Sequence, residues 1–187
     1  MTDHSRFQSW FEGSQAVDSD GKPLVLYYGG RSCASGPGEG VSTFSNERFV
    51  AEHQAEEAGT EVVPVNIKIE RLLDARTREG SKVLLSIAAS LPQLTISTDI
   101  ETRDTGWFLE CPQLEQLGFD PDYMPGLMYL EAMRTALTDA GYDGVVFADS
   151  FENHLIETWI PVSRHQAQPT FDAGEPRRQE GQCLLPG

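Results

Sequence analysis

The stretch GYDGVVFADSFENHLIETWIPV, residues 141–162, contains two strand patterns. GVVFAD and IETWIPV are both rich in β-branched and aromatic residues, and the polar segment SFENH separates them. Before them, apolar residues recur at positions 127, 130, 133 and 137, which is the helical period, and Gly141 supplies the stop. A helix followed by two strands in this part of the chain predicts a mixed α+β domain.

Glu157 is the charged residue inside the second strand pattern, and it has apolar neighbours on both sides. Drawing a carboxylate into a partly buried strand costs free energy unless the group is paired, so Glu157 is a candidate catalytic acid. The alternative is that period-two alternation simply points its side chain to solvent on an edge strand. Residue types alone favour this second interpretation.

Elsewhere in the chain, local hydrophobic periodicity and turn residues predict further helices and strands. A strand in PLVLYYGGRS (Pro23–Ser32) ends in two glycines and leads into a glycine-rich loop that extends to Gly40. Pro64 places another predicted strand near an edge or at a bulge. The predicted strands are Leu24–Tyr28, Val41–Phe44 and Glu61–Ile69; the predicted helices are a short one capped by Ser5, one beginning at Asn46, one over Lys82–Leu91 and one over Leu127–Ala140.

The 187 residues suit one domain, which we place at residues 1–170, with a flexible tail over residues 171–187. A net charge of −15 repels nucleic acid and anionic membranes. It suits a basic protein partner, although simple solubility is the more common reason for an acidic surface. The three widely spaced cysteines predict a reducing compartment and no metal site. Without a signal-peptide or membrane-span pattern, we expect a soluble protein that is cytoplasmic or delivered into a target-cell cytosol as an effector.

Two other chemical patterns are weaker. The loop GPGEG, residues 36–40, matches neither common phosphate-binding glycine motif. Cys33 with His53 or His154 could form a nucleophile and base pair, but a lone cysteine in a glycine loop is more often inert. Neither pattern predicts a function.

Four segments, in this order, resemble the ADP-ribosyltransferase superfamily, in particular the small transferase domains of phage and bacterial polyvalent proteins. FQSWFEGSQAVDSDGKPLVLYYGG is similar to an opening helix, a V-D-x-D-G-x-P-L turn and a strand ending in Y-H-G-T. VVPVNIKIERLLD is similar to a later family strand, AGYDGVVF to the close of a family helix, and IETWIPV to the strand that carries the catalytic glutamate. The resemblance implies a split β-sandwich of two small sheets with flanking helices.

The resemblance also implies a site that cleaves NAD without a metal. Glu157 would hold a ribose hydroxyl and stabilise the sugar cation that forms when nicotinamide leaves, and Tyr28 would be its catalytic partner. Gly29 would let the backbone approach the nicotinamide amide. The other residues that the resemblance assigns to NAD binding are Gly30, Arg31, Ser42, Thr43, Phe44 and His53.

The chain departs from the family pattern at three positions. Tyr28 stands where the family has histidine or arginine, and Thr43 stands where the polymerase-like branch has a stacking tyrosine. Leu155 replaces the second acid of the arginine-modifying branch, which disfavours arginine as the acceptor. The expected function is an atypical mono-ADP-ribosyltransferase acting on a protein side chain; the alternatives are a degenerate module that binds NAD, ADP-ribose or a protein without turnover, and an acidic decoy for a basic partner.

Overall fold

A computed structural model describes residues 3–30, 42–94, 111–120 and 122–170. These ranges form a mixed α+β fold, which confirms the predicted class. The helices are α1 (Asp3–Phe11), α2 (Arg48–Ala58), α3 (Arg78–Ala89), α4 (Pro112–Glu115) and α5 (Glu131–Asp139), with 3-10 helices at Met124–Tyr129 and Arg164–Gln166. The strands are β1 (Leu26–Tyr28), β2 (Phe44–Ser45), β3 (Val63–Ile67), β4 (Leu72–Asp74), β5 (Gly144–Phe151), β6 (His154–Pro161) and β7 (Ala167–Pro169).

The strands form one seven-stranded sheet in the order β4-β5-β6-β2-β1-β3-β7. The pairing is parallel between β4 and β5 and antiparallel everywhere else. The family resemblance implies two small sheets, whereas the described strands are hydrogen-bonded into a single one. Among the strands of the described ranges, the two-residue strand β2 alone joins β4-β5-β6 to β1-β3-β7, so the sheet is narrowest at its centre.

The strands β5 and β6 form the hairpin at the centre of the stretch quoted first. Eight residue pairs join them, from Gly144 opposite Pro161 to Phe151 opposite His154. Glu152 and Asn153 form the turn, with φ angles of 47° and 67°. Left-handed conformations at both central residues match the twist of a two-residue hairpin, which explains why the strands extend into the polar segment that separates the two patterns.

The two faces of the sheet bury different residues, as strand alternation requires. On one face, Val145, Phe147 and Ile160 pack with residues of α3, α5 and the 3-10 helix Met124–Tyr129, which is the one meant by 'the 3-10 helix' below. We call this face the helical face. Val146 and Trp159 alternate with them and pack on the opposite face against residues of β1, β2 and β3. We call that one the tryptophan face.

The aromatic helix at the start of the chain is confirmed. In α1 the ring centroid of Phe7 lies 5.7 Å from that of Trp10 and 5.8 Å from that of Phe11. The helix begins at Asp3 instead of being capped by Ser5, and it ends before Gly13, whose φ is 81°. The spacing i, i+3, i+4 therefore predicted both the helix and the face on which its rings meet.

Helices α3 and α5 differ from the prediction at their beginnings. The helix predicted from Lys82 begins at Arg78, because the Thr77 hydroxyl accepts a hydrogen bond from the Gly80 N–H at 3.0 Å and caps it. The helix predicted over Leu127–Ala140 is divided at Leu130, which is extended. Its apolar spacing continues across the division because the 3-10 helix and α5 bury side chains in the same core.

Strand β3 is shorter than predicted and is the second strand from one edge of the sheet. Its neighbours are β1 and β7, and Pro64 is its second residue. The Pro64 carbonyl accepts from the Thr170 N–H at 3.0 Å, just beyond β7. The missing N–H of Pro64 thus falls at the end of the β3–β7 pairing, where it interrupts the fewest hydrogen bonds.

Strands β1 and β2 begin later than predicted. Leu24–Tyr28 is reduced to β1, and the strand predicted over Val41–Phe44 is β2, although Val41 itself lies outside the described residues. The glycine-rich loop from Arg31 and the tail over residues 171–187 also lie outside them. Among the helices that the structure describes, none has the length and apolar character needed to cross a membrane.

Candidate functional site

Glu157 lies on the tryptophan face, where that face changes from buried to open. Further along β6, Trp159 is 3% exposed, whereas Leu155, two residues before Glu157, is 88% exposed. Ala148, opposite Glu157 on β5, is also exposed. The Glu157 side chain is 31% exposed, so its carboxylate is half-buried at the rim of an open stretch of sheet.

Both oxygens of the Glu157 carboxylate have partners. Oε1 forms an ion pair with Nη1 of Arg76, and Oε2 accepts a hydrogen bond from Nε1 of Trp159 at 3.1 Å. Arg76 is held in turn by Asp74, whose two oxygens accept from Nε and Nη2 of the guanidinium, each at 2.8 Å. The guanidinium carbon also lies 5.8 Å from the centroid of the Trp159 ring.

We call Asp74, Arg76, Glu157 and Trp159 the carboxylate cluster. Its two carboxylates and one guanidinium leave a net negative charge. The hydrogen bond from Arg76 holds the pKa of Asp74 below its ordinary value. The same contact, followed by the one with Glu157, raises the pKa of Arg76, so the guanidinium remains charged at every physiological pH.

Asn46 fixes the backbone of Glu157. Its Oδ1 accepts from the Glu157 N–H at 2.8 Å, and its own N–H donates to the Glu157 carbonyl at 3.3 Å. The sequence predicted that Asn46 would begin a helix, but α2 is preceded by Glu47, which makes no side-chain cap. The Asn46 side chain instead continues the β2–β6 pairing beyond the two residues of β2.

Tyr28 and Phe44 share the tryptophan face with Glu157. Phe44 pairs with Trp159 across the β2–β6 boundary, and the rings of Tyr28 and Phe44 are 5.5 Å apart. Tyr28, Phe44 and Trp159 thus form a row across β1, β2 and β6. Glu157 lies two residues before Trp159 on β6, next to this row. The structure thus brings three of the sequence-predicted site residues, Tyr28, Phe44 and Glu157, to the same face.

Gly29 is buried against helix α2. A Cβ at this position would lie 2.7 Å from the Ala51 carbonyl carbon and 2.8 Å from the Ala55 nitrogen. The Gly29 carbonyl accepts from the Thr60 hydroxyl at 2.7 Å. Strand β1 therefore ends in glycine because the backbone of α2 packs directly on it, a reason that involves no ligand.

Gly30 is held close to the preceding tyrosine. A Cβ at Gly30 would lie 2.6 Å from Cζ of Tyr28, so the backbone folds back against the phenol ring. Of the remaining sequence-predicted site residues near this turn, Arg31 lies outside the described residues and Ser42 is half-buried.

Thr43 and His53 lie on the helical side of the sheet, away from Glu157. The Thr43 side chain is hydrogen-bonded to Tyr129, which belongs to the 3-10 helix on that face. His53 is on α2, where its ring lies 5.1 Å from that of Phe151 and its Nε2 lies 3.4 Å from Glu57. The structure does not bring these two residues to the face that carries Tyr28, Phe44 and Glu157.

Sequence reasoning missed Asp74, Arg76 and Asn46: Arg76 and Asn46 contact Glu157, and Asp74 holds Arg76. A weak signal for the first two was present, because LLDAR places an acid and an arginine directly after two leucines, where a short strand ends. Trp159 also carried a signal, since strand alternation puts the residue at i+2 on the same face as Glu157. Nothing in the sequence indicates that these residues meet at Glu157.

A second polar cluster lies on the helical face. Oδ2 of Asp149 accepts from the Tyr123 hydroxyl at 3.3 Å and from the Thr158 hydroxyl at 3.1 Å. Burial, followed by the charge of Asp149, raises the pKa of Tyr123 well above its ordinary value. These hydrogen bonds tie the β5–β6 hairpin to Tyr123, just before the 3-10 helix Met124–Tyr129. This structural role explains the cluster.

One surface depression lies away from the carboxylate cluster. A depression of about 540 Å³ lies between α1 and the turn before β1, and Phe7, Phe11, Val17 and Pro23 line its apolar part. Within the described ranges, no group of three or more His, Cys, Asp or Glu residues is arranged to hold a metal ion.

Comparisons with protein-family models, with curated proteins and with solved structures found no match to this chain.

Proposed function

We propose that the protein is an atypical mono-ADP-ribosyltransferase in which Glu157 stabilises the sugar cation formed from NAD. The observation that carries the proposal is the position of Glu157: a half-buried, ion-paired carboxylate at the rim of an open sheet face, beside a row of aromatic residues. A fixed negative charge in such a place lowers the energy of a cation that develops next to it.

In the proposed reaction the bond between the ribose anomeric carbon and the nicotinamide nitrogen breaks, and nicotinamide leaves with the bonding electrons. The cation that remains is stabilised by Glu157, and a nucleophilic side chain of the acceptor protein then bonds to the anomeric carbon and releases its proton to solvent. Tyr28 and Phe44 supply an aromatic wall on the same face. Gly29 offers main-chain groups, and its carbonyl, which accepts from the Thr60 hydroxyl, has two lone pairs as any carbonyl does.

The narrow centre of the sheet supports a division of the sheet into two halves with the NAD cleft between them. The halves β4-β5-β6 and β1-β3-β7 meet through two residues of β2, and Glu157 and Tyr28 lie on the strands that flank β2. We propose that these halves correspond to the two small sheets of the transferase fold, with the NAD cleft where they meet. The acidic surface favours a basic acceptor protein.

The test is release of nicotinamide from NAD by the purified protein. Glu157→Gln keeps the size and shape of the side chain and removes its charge, so we expect a loss on the order of 100-fold or more. Glu61→Gln, the same change at an exposed residue before β3, is the matched control and should keep the wild-type rate. Equal rates for the wild type and Glu157→Gln would sink the proposal.

A second candidate is a module that binds NAD, ADP-ribose or a protein without turnover. The observation that favours it is the ion pair itself, because Arg76 already neutralises part of the charge that a sugar cation would need. Calorimetry with NAD beside the nicotinamide assay separates the two candidates. Binding without release selects the module, whereas release that depends on Glu157 selects the transferase.

A further inference from the structure

Arg76 reaches Glu157 from 81 positions away in the sequence, and its own position is fixed by Asp74. Two of its three nitrogen atoms, Nε and Nη2, donate to the two oxygens of Asp74, which leaves Nη1 directed at Glu157. A planar guanidinium held at two points by one carboxylate has little freedom to rotate. Its third nitrogen is therefore presented to Glu157 in a single direction.

The other oxygen of Glu157 is held from within the core. Trp159 donates from Nε1 to Oε2, and its ring is buried between neighbouring strands, opposite Phe44 on one side and Val146 on the other. An exposed glutamate samples many rotamers, and ordering it costs conformational entropy. Here two donors from separate elements bind the two oxygens, so this entropy is lost when the protein folds and not when a substrate binds.

We propose that Arg76 is a positioning residue, which, with Asp74 behind it, holds the Glu157 carboxylate in one orientation at the open part of the sheet face. The effect on catalysis rests on the proposed function; the orientation itself does not. Arg76 is a poor candidate for binding the NAD phosphates, because it lies between two carboxylates in a cluster of net negative charge.

The orientation is tested first by NMR of the tryptophan side chains in ¹⁵N-labelled protein. The chain has three tryptophans, and Trp159→Phe identifies the indole N–H resonance that belongs to Trp159. In Arg76→Gln, which loses the charge, Glu157 is released, so this resonance should shift and its exchange with water should accelerate. Arg76→Lys should restore part of the wild-type behaviour, and Asp74→Asn should give a smaller change in the same direction.

Arg48→Gln is the control for this experiment, because it removes an arginine from an exposed ion pair with Glu52 on α2. It should leave the Trp159 resonance unchanged. A Trp159 resonance and exchange rate that stay at their wild-type values in both Arg76→Gln and Asp74→Asn would overturn the proposal. Having two variants keeps the test decisive if one of them fails to fold.

The kinetic arm uses the nicotinamide assay. Arg76→Gln should lower kcat by about 10-fold with little change in the KM for NAD, as expected for loss of a group that orients another. Guanidinium ion added to Arg76→Ala should restore part of kcat, which it would not do if the arginine merely stabilised the fold. If the wild type is active and kcat is unchanged in Arg76→Gln, the positioning role of Arg76 in catalysis is wrong and the proposed function stands. If the wild type releases no nicotinamide, the proposed function is wrong, and the NMR result alone decides whether Arg76 orients Glu157.

Discussion

The side-chain oxygen of Asn46 accepts a hydrogen bond from the backbone N–H of Glu157, at a nitrogen–oxygen distance of 2.8 Å. The two residues are 111 positions apart and lie where the sheet is narrowest. Since β2 supplies only two residues of pairing, this side chain serves as one more rung between β2 and β6. The same bond fixes the backbone from which the Glu157 carboxylate projects.

Replacing Asn46 with alanine should destabilise the protein. The partly buried N–H of Glu157 loses its acceptor, which costs about 1–2 kcal/mol in the free energy of unfolding. Urea denaturation measures this change. Asn46→Asp keeps an acceptor oxygen and should lose less; an Asn46→Ala protein as stable as the wild type would show that the contact contributes nothing.

Gly29→Ala should destabilise the protein in the absence of any ligand. The new Cβ meets the backbone of α2 at Ala51 and Ala55, and overpacking against backbone typically costs about 1–3 kcal/mol. Gly126→Ala is the comparison, because its Cβ would meet only side-chain atoms, at 3.3 Å or more, which can move. Thermal unfolding of both variants measures the difference. Equal melting temperatures would mean that α2 does not press on Gly29.

Asp74→Asn should change how stability depends on pH at acid pH. The pKa of Asp74 is depressed below its ordinary value of 3.8 by Arg76, so its contribution to stability is present above that value and is lost as the pH falls through the folded-state pKa. The difference in unfolding free energy between wild type and Asp74→Asn should therefore be largest near neutral pH and shrink in acid.

Urea denaturation at a series of pH values follows this difference. Asp20→Asn, in an exposed pair with Lys22, is the control and should change stability little. A difference between wild type and Asp74→Asn that is the same at neutral and acid pH would contradict the assignment of the ion pair to Asp74.

Tyr123→Phe should weaken the fold by about 0.5–1 kcal/mol at neutral pH, because Asp149 loses a hydroxyl donor. Burial raises the pKa of Tyr123 above its ordinary value of 10.0, so the stability that the neutral phenol contributes is complete below that pH and is lost as the pH rises toward the folded-state pKa. The variant should therefore lose less stability in alkali than the wild type. Urea denaturation across the alkaline range tests this, with Tyr27→Phe as the matched control.

Local patterns in the sequence were sufficient for several elements. The aromatic spacing in α1, the stop at Gly141 and the strand composition of β5 and β6 each depend on residues a few positions apart. By contrast, β4 is three residues long and pairs in parallel with a strand some 70 positions later, so no local period marks it. Strand β7 was missed for the same reason.

By itself the sequence determined the mixed α+β class, the helical and strand periods, and the placement of one carboxylate, Glu157, inside an otherwise apolar strand. Only the tertiary structure decided that this carboxylate meets Arg76, that Asn46 holds its backbone, and that Thr43 and His53 lie on the other side of the sheet. The physical reason is distance along the chain: periodicity reflects neighbours within one or two turns, whereas a pairing across 81 or 111 positions depends on strand order and register, which the whole fold determines.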